Sequence, residues 1–567
     1  MVKFLSLILL GLSFSHGVAS PLERSNEDIL LKRSAEIHIK VYDKESQRPL
    51  PTRITVVDNK GHLVWLHRAT KKRTAVRKGI FYFDGAHGSF RLQPGEYKIF
   101  VTKGFEWSLG EKKISLKKNQ KVNLRFEMRR EVNTRGYIAS DTHIHTRTYS
   151  GHGDINVHER VVTIAGEGIE LPVATDHNHN TDYLPVQKEL KFEEHFTSVV
   201  GNEVSTKIGH INAFPFNPFD KVPPFLLQRS WDKLASNIKK KGGQVLVLNH
   251  PRWRKKKGGP WGPLGSFGLN QVTGSFVKAK NFPFNAIELE NSMTPASDKE
   301  VLPFFILKDW MALLNQGYRV TAVGASDSHS VKGIVGQARS YVKSSTDNPS
   351  QIDLKEVIHS FKKGKVLVSK GIFADVNIFD SIGVGEMISL GQEKEIEGTI
   401  IVRSPSWTTP KEAFIFLNGQ KIWSQKINKV PGRPLDTKLS FRIPVPKIDS
   451  YLFVYVLGEG VHAPYWKTVE PFTMAATNPI YIDVNGDNHY SSPKELAENW
   501  IKKNKLNFSE LGKSIKSLRP VVGVQVIDLL FLKRKRRRDK LILQKILDQL
   551  SKKIGLFKKY REERLRQ

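Results

Sequence analysis

Between Gly136 and Lys365 the chain alternates short apolar runs with amphipathic stretches, and polar clusters rich in histidine follow many of the runs. Val173-Ala174, Ser198-Val199-Val200, Gln244 to Leu248, Ala286-Ile287-Glu288-Leu289 and Val320 to Val323 are strand-like. Val157 to Ala165, Ser230 to Lys240 and Lys299 to Asn315 have helical character. Strands that alternate with helices predict a parallel sheet or barrel, because a parallel pair needs a long crossover and a helix supplies it.

Ten of the 18 histidines fall between residues 143 and 329. The clusters are Asp141-Thr142-His143-Ile144-His145, Ser150-Gly151-His152-Gly153-Asp154, Thr175-Asp176-His177-Asn178, Gly201-Asn202-Glu203, Gly209-His210, Asn249-His250-Pro251 and Ser326-Asp327-Ser328-His329. Five of them directly follow an apolar run. In a parallel barrel, side chains just past the strand ends converge on one face, so residues distant in sequence should share one pocket. His143 and His145 are two apart and point the same way in an extended segment; Asp327 and His329 repeat that spacing.

Imidazole and carboxylate ligands suit zinc, manganese or iron. Seven histidines (His143, His145, His152, His177, His210, His250 and His329) with Glu203 and Asp327 are too many for one tetrahedral ion. They suit two or three divalent ions that share bridging ligands. Any single histidine is as readily a hydrogen-bonded core or surface residue. His158 and His195 belong to that class, as does His179 unless it faces a substrate.

The chain has no cysteine, which excludes disulfides, thiolate metal sites and a cysteine nucleophile. No Gly-x-Ser-x-Gly elbow, P-loop or His-Glu-x-x-His is present. Residues 1–20 read as a signal peptide: Lys3, the apolar run Phe4 to Leu12, then Val18-Ala19-Ser20. Export to a periplasmic or extracellular location follows, and no other apolar stretch is long enough to span a bilayer. The net charge of +33 favours anionic partners, and export turns the expectation away from specific nucleic-acid binding.

A chain of 567 residues exceeds one ordinary core. Residues 34–130 predict a β-sandwich, because Ala35 to Val41 alternates with period two and Gly and Pro punctuate the later runs. The α/β region spans 135–368, a second β-sandwich is expected over 372–490, and a basic helical tail over 491–567. Residues 531–567 hold 15 Lys and Arg against 4 Asp and Glu. That end is either a tether to an anionic envelope surface or a solvated tail.

Four segments resemble the signature regions of the polymerase and histidinol phosphatase (PHP) superfamily: Asp141 to His145, Thr175-Asp176-His177, Asn249-His250-Pro251 and Ser326 to His329. Ala174 to Asn178 followed by Thr181-Asp182-Tyr183, together with Asn478 to Asp483, resembles its CehA/McbA branch of metallohydrolases. The first β region resembles carboxypeptidase-regulatory accessory domains. The superfamily resemblance implies a distorted (β/α)7 barrel with up to three metals. It assigns His143 and His145, with Glu203 and Asp327, to the first metal, and His152, His177 and His329 to the second. It assigns His210 and His250 to the third, with Glu203 bridging, and leaves Asp141 and Asp176 to orient histidines.

Cations that share a water lower its pKa and generate hydroxide near neutral pH, so no side-chain nucleophile is needed. Lys207, Arg252 and Arg339 lie near the clusters and are candidates to hold an anionic group of a small ester substrate. The superfamily and the charge point to phosphate esters, whereas the CehA/McbA resemblance points to carboxyl or carbamate esters or amides. A non-catalytic protein that binds an envelope polymer is the alternative of another class.

Overall fold

The structure, a computed structural model, describes residues 32–220, 228–252, 262–292, 305–504, 510–534 and 536–566. The expected leader at 1–20 lies outside the described residues.

The first β region forms two facing sheets. Strand Ala35–Asp43 buries Ala35, Ile37, Ile39 and Val41 and turns His38 and Lys40 outward, as its alternation requires. It lies between Gly88–Leu92 and Lys121–Met128. A five-stranded sheet, in the order Thr74–Arg77, Ile80–Phe83, Thr52–Asp58, Gly95–Thr102 and Gly110–Leu116, supplies Ile54, Val56, Phe81 and Val101 to the same core.

The central region is mixed α/β. One sheet aligns Val199–Val200, Leu171–Ala174, Tyr137–Ile144, Arg339–Lys343 and Val366–Lys370; the other aligns Asn202–Thr206, Gly209–Phe214, Val245–Leu248, Ala286–Asn291 and Thr321–Ala325. Pairing is parallel from Tyr137–Ile144 through Leu171–Ala174 to Val199–Val200, and again from Val245–Leu248 through Ala286–Asn291 to Thr321–Ala325. It is antiparallel elsewhere, so the expected all-parallel sheet is only part of the arrangement. Lys207 and Ile208 alone join Thr206 to Gly209, and two residues cannot carry a crossover helix. Among the described residues the strand ladder does not run unbroken around a closed barrel. The two sheets meet at isolated parallel bridges, Ile144 with Ser328 and His177 with Glu203.

The helices start where local chemistry dictates. Asn156 and Glu159 form a reciprocal capping box at Val157–Gly166, and Ser230 and Asp353 cap Trp231–Lys240 and Leu354–Lys363. The expected helix ending at Asn315 is described as Phe305–Asn315.

The expected boundary near 368–372 is crossed by backbone pairing. Val366–Lys370 pairs antiparallel with Phe472–Thr477, and the same sheet continues through Ser450–Glu459, Pro410–Leu417 and Gln420–Lys426. Asn478 reinforces the junction: it donates to Ala322 O at 2.9 Å and Val366 O at 2.8 Å, and accepts from Ala322 N at 2.7 Å. A three-stranded sheet of Phe373–Ile378, Glu395–Ser404 and Leu435–Pro444 shares a core with that face, giving the second expected β-on-β layer. Asn418 and Gly419, at φ 47° and 77°, make the tight hairpin turn their sequence predicts.

Among the described residues the basic end is a folded helical layer. In Pro520–Lys533 every residue from Val521 to Phe531 is buried. Leu511–Ser517, Arg537–Ser551 and Gly555–Arg566 surround it with Ile515, Leu543, Leu547 and Tyr560. A helix apolar on all sides must be enclosed, and this one is the core of its layer. No helix among the described residues is long and apolar enough to cross a membrane.

Candidate metal centre

The clusters meet because the ends of neighbouring strands are bonded to one another. Thr175 N donates to Ile144 O, Glu203 N to Asp176 O, Asn249 N to His210 O, Ser292 N to Ala325 O, and Asp327 N to His143 O, all at 2.9–3.2 Å. These bonds bring His143, His145, His177, Glu203, His210, His250, Asp327 and His329 within reach of one another.

Glu203 is the hub. It is fully buried, and its carboxylate lies 3.2 Å from His143 Nε2, 3.5 Å from His145 Nε2, 2.6 Å from His177 Nδ1, 3.0 Å from His210 Nδ1 and 3.5 Å from His250 Nε2. Asp327 Oδ1 lies 3.3 Å from His143 Nε2, 3.2 Å from His145 Nε2 and 3.4 Å from His329 Nδ1. Four overlapping groups have the spacing of metal ligands: His145, His177 and His329; His143, His145 and Glu203; His143, His250 and Asp327; and His177, Glu203 and His210. Eight of the nine expected ligands fall in these groups. His152 does not, although its ring stacks 5.0 Å from that of His177 and lies tilted 4.7 Å from that of His329.

The ring nitrogens are oriented by what holds their far sides. His143 Nδ1 is 2.5 Å from Glu288 Oε1, so that nitrogen carries the proton. Ser150 Oγ donates to Asp176 Oδ1 at 2.6 Å and therefore accepts from His145 Nδ1 at 3.2 Å. His329 Nδ1 donates to the Asp327 carbonyl at 2.8 Å. In all three the inner Nε2 is turned into the cluster. These Nε2 atoms and Glu203 Oε2 are buried without a hydrogen-bond partner: they are near their neighbours but misdirected for hydrogen bonding. Buried polar atoms so arranged call for a ligand, and the donor set suits a divalent cation. Buried His, Glu and Asp groups here can therefore bind metal.

The electrostatics agree with the geometry. Burial pushes His145 down to about 3 and His329 down to about 4, so both are neutral near pH 7, as ligation requires. Burial also opposes charge on His143, but Asp327, Glu288 and Glu203 outweigh it and hold this imidazole well above the ordinary range. Burial works against ionisation of Glu203 as well, and His143 and the neighbouring imidazoles overcome it and hold the carboxyl well below its usual range. Positive charge among these carboxylates is thus strongly favoured.

Asp141 and Asp176, expected to orient histidines, bond to other groups. Asp141 accepts from the backbone amides of His143, Ser326 and Gly336 and touches no imidazole. Asp176 acts on His145 through Ser150. Asp327 adopts φ 56°, so it and His329 do not share the extended geometry their spacing suggests. His250 also has positive φ, at 24°. Two strained residues inside one cluster are characteristic of functional sites.

The expected anion-holding cations are placed otherwise. Arg252 is buried and forms a two-pronged pair with Asp309, at 2.8 and 2.7 Å. Arg339 is buried, donates to the Gly336 and Glu167 carbonyls, and lies over the Phe105 ring. Both are engaged by internal partners. Lys207 is exposed at the tip of the hairpin that carries Glu203 and His210. His179 is exposed and stacks on Tyr149 with ring centroids 4.4 Å apart.

Two contributors escaped the sequence reading. Glu288 stood inside an apolar run and passed as part of a strand, yet it holds His143 and accepts from His250 N and from Asn291 Nδ2. A carboxylate within an otherwise apolar buried strand was the available signal, since it must have a partner. Asn249 donates to Glu203 Oε1 at 2.9 Å and to Asn212 Oδ1 at 2.8 Å, which fixes the hub carboxylate. No family model matches the chain, and no curated protein sequence matches it.

Proposed function

We propose that the chain is a metal-dependent hydrolase of the PHP superfamily, of the CehA/McbA type, whose site holds two or three divalent ions. The observation that carries this reading is Glu203, a buried carboxylate within 3.5 Å of nitrogens from five histidines. The bonded succession of strand ends around it supports a barrel-type site.

His143, His145, His177, His210, His250, His329, Glu203 and Asp327 would hold the ions, with Glu203 shared between them. When bound, zinc, manganese or iron would acidify water near neutral pH and neutralise negative charge that develops on the substrate. Glu288 and Ser150 keep the outer nitrogens of His143 and His145 protonated, so the inner ones stay directed at the ions. His143 and His145 form a fully buried floor, whereas the side chains of His177, His210 and His329 are 21–26% exposed. The substrate therefore enters over the exposed three, past His152 and His179.

A phosphate ester is the leading substrate class, in keeping with the net charge of +33. A specific observation favours the second class, carboxyl or carbamate esters and amides. Arg252 and Arg339, the two arginines offered by sequence to clamp a phosphate, are committed to internal partners.

The test is turnover of a phosphodiester, a phosphomonoester and an aryl ester before and after chelation, with His143→Ala as the control. Activity on at least one substrate, lost on chelation and in the variant, is expected. Turnover that survives His143→Ala places the chemistry elsewhere, and a metal-loaded protein inert on every substrate is a binding protein.

A further inference from the structure

We propose that the exposed cations and leucines at the adjoining ends of helices Pro520–Lys533 and Arg537–Ser551 dock on an anionic lipid bilayer. This does not depend on the chemistry of the metal site.

From Leu532 to Lys545 the sequence holds eight Lys and Arg and a single acid, Asp539. Lys533, Arg536, Arg537, Arg538 and Lys540 are exposed. Such a run alone fits any polyanion. The leucines beside it discriminate: Leu532 is 60% exposed and Leu541 56% exposed, one on each side of the cations. In the same layer Ile527, Leu530, Leu543 and Leu547 are buried, and Leu565, near the end of Gly555–Arg566, is also exposed. What sets Leu532 and Leu541 apart is that both lie beside the exposed cations. Cations gain from an anionic leaflet over a Debye length, whereas leucine gains only where an apolar medium such as the acyl chains receives it. A nucleic acid or acidic glycan would satisfy the arginines and leave the leucines in water. The enclosed helix Pro520–Lys533 supplies a rigid base, so little ordering entropy is lost on docking.

The experiment is co-sedimentation of the full chain with phosphatidylcholine vesicles, with and without phosphatidylglycerol, over a salt series. Binding is expected only with phosphatidylglycerol and should weaken as salt rises. Arg536→Ser/Arg537→Ser/Arg538→Ser should weaken it at least about tenfold. Leu532→Ser/Leu541→Ser should weaken vesicle binding at least about threefold while retention on heparin stays unchanged. All five positions are exposed, and should the arginine variant fail to fold, the leucine pair and the salt series decide the matter. No binding to anionic vesicles overturns the proposal. So does vesicle binding indifferent to the leucine pair, which would assign these cations to a soluble polyanion.

Discussion

At the scale of single residues, the site depends on carboxylates that hold histidines in one protonation pattern. Glu288 is the clearest case: it touches His143 Nδ1 and the His250 amide. Glu288→Gln keeps the shape and removes the charge. It should lower metal affinity or turnover by about 10–100-fold, read by metal titration; a change below about twofold would contradict the assignment. Arg252→Ala should behave differently. It leaves Asp309 buried without its cation and with only Gln271 Nε2 as donor, so unfolding should become easier by about 3–5 kcal/mol, with KM unchanged wherever the variant is folded. A raised KM at unchanged stability would return Arg252 to the substrate. These two residues also mark how far the site was legible. His143, His177, His250 and His329 could be read because they stand in polar clusters at strand ends. Glu288 could not, because its neighbours Ile287 and Leu289 hide it in an apolar run. The pairing of Arg252 with Asp309 could not be read, because nearness in sequence to His250 does not say which way a side chain points.

At the scale of elements, local signals were sound and long-range pairing was not visible. The alternation of Ala35 to Val41, the Asn418-Gly419 turn and, among the described residues, the helical character expected over 491–567 appear as their sequences predict. The break expected near residue 370 does not interrupt the sheet, because the partner of Val366–Lys370 lies a hundred residues further on, at Phe472–Thr477. Nothing in either segment alone records that pairing. Asn478 is the residue that secures it. Asn478→Ala would leave the Ala322 amide and carbonyl buried without their side-chain partner. Denaturant unfolding should report a loss of about 2–4 kcal/mol, and a loss below about 0.5 kcal/mol would mean the backbone finds partners elsewhere.

At the scale of the whole molecule, the first β region is fixed to the α/β region by buried charge. Lys103 donates to Ala165 O at 2.5 Å across that junction and to Pro51 O at 3.2 Å within its own region. Burial pushes its ammonium down to about 8, although Glu167, Glu106 and Glu170 favour its charge. An unfolded lysine titrates near 10.5, so between these values the unfolded chain binds more of this proton than the folded one. Stability from this group therefore rises as pH climbs from about 8 to 10.5, by about 3 kcal/mol at most. Lys103→Met should lack that rise in unfolding measurements across the window; parallel curves for the two proteins would contradict it. The central claim concerns the cluster around Glu203, and the most direct measurement is the metal content of the full chain purified without chelators. Between two and three divalent ions per chain are expected from the ligand set. Less than one ion per chain, after exposure to zinc, manganese and iron, would contradict the account.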